Sequence, residues 1–190
     1  MDIEQFVMAY GVEQDRLRSL LPDGFSSLRP VLRINAEIRG GRSGYVEFNT
    51  AVEKDGTKGW LNVGAWEEVG FTKMDGKVVF ETDFLKISFT PVGIEGGCPA
   101  EKDNDGCFFL GESPRLRPSE KITANKEFCD CEFKWLFAKS DARGKSIGKT
   151  LPAVCSEAKI SYPRQDFTPQ NVVAIPCEQV LGAYVVRFVR

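Results

Sequence analysis

Val31-Leu32-Arg33-Ile34-Asn35-Ala36-Glu37-Ile38-Arg39, then Gly40-Gly41-Arg42-Ser43-Gly44, then Tyr45-Val46-Glu47-Phe48-Asn49-Thr50-Ala51-Val52: this stretch decides the fold class. The first run alternates apolar and polar residues with the two-residue period of a β-strand, the glycine-rich segment is a flexible turn, and the second run is another strand. Working outward, Lys54-Asp55-Gly56-Thr57-Lys58-Gly59 has hairpin chemistry. Further strands are predicted over Trp60 to Trp66, Lys77 to Glu81, Phe84 to Thr90, Glu127 to Phe137, Ala158 to Tyr162 and Gly182 to Val189. Towards the start, Glu4 to Tyr10 reads as a short strand. Val12, Leu17, Leu20 and Leu21 then recur at helical spacing until Pro22-Asp23-Gly24 ends the helix.

Many strands at short spacing with one convincing helix exclude a doubly wound parallel sheet. They predict a mainly β chain, an antiparallel sheet closed as a β-barrel or packed as a sandwich, with one short N-terminal helix. The chain has 190 residues, which suits a single domain over 1–190. Longer irregular stretches are expected at Val92 to Gly106, Gly111 to Lys126 and Ser140 to Pro152, as lids, binding elements or subunit contacts.

Composition removes whole classes of chemistry. Lys and Arg number 25 against 27 Asp and Glu, a net charge of −2, and such a balance argues against a nucleic-acid partner. No run of about 18 apolar residues is present and the start lacks a signal-peptide pattern, so the expected location is cytoplasmic, with no membrane partner. There is no histidine, which excludes Ser-His-Asp and Cys-His catalysis and His-ligated metals. Acid–base work falls to Glu, Asp, Lys, Tyr or Cys. Of the six cysteines only Cys129 and Cys131 stand close, without the paired spacing of a zinc site. Buried reduced thiols are the expectation, and no metal. Glu101 to Glu112 carries acidic residues in calcium-loop register, but Pro99 and Gly96-Gly97 stand where an entering helix should be, so it reads as a solvated acidic turn. Gly148-Lys149-Thr150 ends like a P-loop, yet Arg143 occupies the place of its first glycine. Arg143, Lys145 and Lys149 therefore read as a basic loop.

Two strands hold the candidate chemistry. In Phe84 to Thr90, Leu85, Ile87 and Phe89 share one face and Lys86 lies on the other. A partly polar barrel interior would make Lys86 a desolvated amine, while a half-exposed strand would turn it to solvent. In Tyr45 to Val52, Tyr45, Glu47 and Asn49 face one way, and a carboxylate between a phenol and an amide can orient a substrate or move a proton.

Asp15-Arg16-Leu17-Arg18-Ser19-Leu20-Leu21-Pro22, followed by Pro30-Val31-Leu32-Arg33-Ile34 and Gly44-Tyr45-Val46-Glu47, resembles the acetoacetate decarboxylase superfamily. The closing run Ala174 to Tyr184 is similar to that family's last proline, helical turn and strand. The resemblance implies a cone-like antiparallel barrel and a lysine that forms a Schiff base with a small β-keto acid, the imine serving as electron sink while carbon dioxide leaves. It implies no metal or organic cofactor, and it makes Glu47 the functional glutamate. Gly70-Phe71-Thr72-Lys73-Met74 stands where the family has an aromatic, a proline and two lysines, so Lys73 is one candidate amine and Lys86 the other. Tyr45 and Asn49 are the candidate substrate-binding residues. The expected activity is a carbon–carbon lyase of decarboxylase type. The alternative is a non-catalytic barrel of the same fold that binds a keto acid or another small carboxylate, and homo-oligomers suit either.

Overall fold

The computed structural model describes residues 1–82, 85–97, 107–109, 116–117, 122–135 and 179–190. Among them run β1 (Asp2–Gly11), α1 (Gln14–Leu20), β2 (Ser26–Ser27), β3 (Val31–Arg39), β4 (Ser43–Lys54), β5 (Thr57–Met74), β6 (Lys77–Glu81), β7 (Leu85–Gly96), β8 (Cys107–Phe109), β9 (Leu116–Arg117), β10 (Lys126–Trp135) and β11 (Gln179–Val189). Ala158 to Tyr162, the acidic Glu101 to Gly106 segment, the basic loop around Lys149, Cys98, Cys155 and Cys177 lie outside the described residues.

Eight strands close a ring in the order β4-β3-β1-β11-β10-β7-β6-β5, and β5 returns to β4; every pairing in the ring is antiparallel. Two hairpins set the register of its long strands. Asp55-Gly56 and Asp75-Gly76 both hold positive φ at both turn positions (51° and 77°, 52° and 74°), the conformation that matches strand twist in a two-residue hairpin. The first lies inside the segment read as hairpin chemistry. The second extends β5 to Met74, well past Trp66, and joins it to β6. Likewise β7 continues to Gly96 through a segment expected to be irregular, because Glu95 and Gly96 pair with Glu127 and Lys126 of β10.

The inside of the ring is apolar. Phe6 of β1 meets Phe80 of β6 and Phe89 of β7, with centroids 5.7 and 5.2 Å apart, across strands that are not neighbours. Met8, Ile34, Ala36, Val46, Phe48, Leu61, Ile87 and Val185 fill the same cluster. Burying these side chains is the main stabilising term. At one end α1 contributes Leu17, and Val12 and Phe25 join from its flanks. Glu13 caps the helix, its carboxylate accepting from Asp15 and Arg16 N–H at 2.9 Å. The other end is charged: Lys73 pairs with Glu4, Arg187 lies 3.6 Å from Glu4 and 3.0 Å from Glu127.

Among the described residues the partly polar interior entertained for Lys86 is not found. Leu85, Ile87 and Phe89 do share a face and it is the ring interior, so Lys86 projects from the outside of β7. None of the described helices is long and apolar enough to cross a membrane.

Candidate functional site

The alternation that turns Leu32, Ile34, Ala36 and Ile38 inward turns Arg33, Asn35, Glu37 and Arg39 to the outer face of β3, yet β3 is buried on both faces. Beside it β4 presents Tyr45, Glu47 and Asn49, and β5 presents Trp60 and Asn62. Buried polar groups are stable only when hydrogen-bonded, and here they converge on one carboxylate. Glu47 Oε1 accepts from Asn35 Nδ2 at 2.8 Å and Asn49 Nδ2 at 3.1 Å. Its Oε2 accepts from Tyr45 Oη–H at 2.7 Å and Asn62 Nδ2 at 2.8 Å. Four donors from three adjacent strands thus hold one carboxylate, and register explains their meeting: Asn35 is directly opposite Glu47, and Asn49 is opposite Asn62.

A second charged group adjoins the first. Glu37, buried on the same face, accepts from Arg39 Nε at 2.7 Å, Gln5 Nε2 at 3.0 Å and Arg190 at 3.1 Å. Burial pushes its carboxyl up, and the hydrogen bonds from Arg39 and Arg190 outweigh that and hold it below its ordinary value. Arg39 also binds Glu67 and lies 3.8 Å over the Tyr45 ring. Burial, then the charge of Glu47 and the hydrogen bond to it, push the Tyr45 phenol well above its ordinary range, so it remains a donor to Glu47. On the other side of Glu47, Arg33 lies 3.7 Å over the Trp60 ring. Ala51, opposite Trp60 in register, is small enough for Arg33 to cross β4.

The close approach of β5 to β4 depends on Gly44. A Cβ there would stand 2.1 Å from the carbonyl oxygen of Val69, where β5 bulges at Glu68 (φ 55°). The glycine of the Gly44-Tyr45-Val46-Glu47 run is thus fixed by backbone contact.

Of the residues singled out in the sequence, Tyr45, Glu47 and Asn49 come together. Lys73 stands on the interior side of β5 at the charged end of the ring, paired with Glu4, while Lys86 is outside β7 and 2.6 Å from Glu81. Glu47 is on the opposite face of the ring wall from Lys73, so the three candidate catalytic groups do not form one constellation. Both lysine side chains are more than 40% exposed and each is paired with a carboxylate, that of Lys73 being shared with Arg187. Asn35 and Asn62, which complete the Glu47 group, were not singled out. The available signal was an asparagine at the centre of each of two strands, where that residue is depleted.

Of the cysteines that can be read, Cys129 is buried, Cys131 half-buried, and neither is in a disulfide. Burial is the first cause pushing their thiols up, to about 11 and about 12. Among the described residues no group of three or more His, Cys, Asp or Glu is placed to hold a metal.

No family model matches the sequence and no curated protein does. Solved structures do match. An acetoacetate decarboxylase from Legionella pneumophila is similar at 9% identity over 98% of this chain and 81% of that one, with a TM-score of 0.59. The enduracididine biosynthesis enzyme MppR with HEPES bound is similar at 11% identity over 98% and 82%, TM-score 0.56, and that enzyme is also known with pyruvate. An acetoacetate decarboxylase-like enzyme from Sphingomonas wittichii RW1 is similar at 9% identity over 98% and 88%, TM-score 0.53. Together with the closed ring and the Gly44-to-Glu47 strand, these matches show that the chain has the acetoacetate decarboxylase-like fold.

Proposed function

We propose that the chain binds a small carboxylate-bearing molecule at the outer-face wall built from Arg33, Asn35, Tyr45, Glu47, Asn49, Trp60 and Asn62. The observation that carries this is the single carboxylate held by four donors from three strands. An apolar outer face would stabilise the ring at least as well, so a buried polar network here breaks the local rule in the way functional sites do. Glu47 fixes the three asparagines and Tyr45 in one arrangement, and the Arg33–Trp60 pair supplies a cation on an aromatic plane for an acid group. Neighbours of the same fold take pyruvate or carry the decarboxylase name, which supports a small acid as the ligand class.

The second reading is the Schiff-base lyase acting on a β-keto acid, with no metal or organic cofactor. One observation favours it: Lys73 shares Glu4 with Arg187, which brings a second cation to the amine at the end of the ring. In that reading Lys73 is the amine. Lys86 pairs instead with Glu81, and among the described residues no arginine shares that carboxylate.

The test takes acetoacetate and pyruvate with and without borohydride. The proposal expects saturable binding by calorimetry, at least tenfold weaker in a folded Glu47→Gln variant, and no reduced adduct. A stoichiometric adduct on the peptide carrying Lys73, abolished in Lys73→Ala, would replace it with the lyase. No binding of any small acid would overturn both.

A further inference from the structure

We infer that the ligand of the Glu47 wall carries a hydrogen-bond donor as well as its acid group, and so belongs to the small hydroxy or amino acids rather than the keto acids. The inference rests on the binding reading above and comes from counting donors and acceptors. Each asparagine that gives its amide N–H to Glu47 turns its carbonyl oxygen elsewhere. Asn35 is 4% exposed, its Nδ2 is engaged at 2.8 Å, and its Oδ1 has no donor among the described residues. Trp60 is 5% exposed and its Nε1–H has no acceptor among the described residues. Buried groups of this kind are ordinarily matched, so an unmet acceptor and an unmet donor on one face describe the complementary molecule. It presents an O–H or N–H to Asn35 and an oxygen to Trp60. The oxygen end is the acidic one, because the guanidinium of Arg33 lies on Trp60 at 3.7 Å and that of Arg29 at 5.4 Å.

Arg33, whose guanidinium lies on the Trp60 ring, and Asn35 occupy successive same-face rows of β3, about 7 Å apart, so a short carbon frame can face both. A keto acid has only acceptors, and would set its carbonyl oxygen against the carbonyl oxygen of Asn35. Its hydroxy or amino counterpart resolves the clash without change of size.

The experiment compares matched ligands on the unmodified protein: acetoacetate, 3-hydroxybutyrate and 3-aminobutyrate, each titrated by calorimetry. The expected result is a dissociation constant for the hydroxy or amino acid at least tenfold below that for acetoacetate. In Asn35→Leu the preference should fall to less than threefold, and Trp60→Phe should weaken all three acids together. Equal affinities, or a preference for acetoacetate, would overturn the inference and leave the binding reading standing. Absence of binding by all three would overturn both.

Discussion

Glu47 is the residue on which the account turns. Its carboxylate has four donors and no repulsive neighbour in that set, so Glu47→Gln places one amide N–H₂ against donors that can no longer be accepted. The expected cost is about 1–3 kcal/mol in denaturant unfolding, together with the loss of ligand affinity; an unchanged unfolding midpoint would contradict the network. Gly44 is the second sensitive position. The contact of its absent Cβ with Val69 O forces a backbone shift in Gly44→Ala, with an expected loss of about 1–3 kcal/mol. Cys129 and Cys131, with thiols pushed up to about 11 and about 12, should resist a thiol reagent at pH 8 in the folded protein and react on unfolding, as followed by peptide mapping. The Tyr45-Glu47-Asn49 face was legible because alternation needs only one strand. Asn35 and Asn62 were not, because their role depends on register across three strands, which a single run of sequence does not encode.

At the scale of elements, the strands were read well where alternation is unbroken, as in β3 and β6, and cut short where it breaks. β5 was ended at Trp66 because Glu67-Glu68 interrupts the pattern. The interruption is a bulge in which Glu68 takes φ 55° while the strand continues to Met74. A non-glycine residue in that region is strained, and a β-branched one more so. Glu68→Gly is therefore expected to be neutral or stabilising by up to about 1 kcal/mol, and Glu68→Val destabilising by about 1–2 kcal/mol. The reverse order, measured by thermal unfolding, would contradict the bulge. The Asp75-Gly76 turn was a readable signal for the same continuation, equivalent to Asp55-Gly56 twenty residues earlier.

For the whole molecule, many short strands leave a closed barrel and a sandwich both open and the family resemblance implies closure, but the partners beyond the hairpins are not legible, since alternation gives a residue its face and not its neighbour. Hence the inside of the ring proved apolar and the polar site lies on the outside, with Lys86 outward. Charge ties distant parts of the chain together: Glu37 of β3 is held by Gln5 of β1 and by Arg190. Because the folded carboxyl of Glu37 lies below its unfolded value of 4.5, it contributes stability that is present above that value and lost as pH falls through the folded pKa. Unfolding free energy should therefore decline below about pH 4.5, and Glu37→Gln should flatten that decline. An identical acid limb in both proteins would contradict it. Ligand binding at the Glu47 wall can be read residue by residue in an NMR titration of the side-chain amides, assigned by single substitutions, with 3-hydroxybutyrate. Saturable shifts of the Asn35, Asn49 and Asn62 N–H₂ signals together are expected; saturable binding that leaves all three unmoved would place the ligand elsewhere and contradict a site at Glu47.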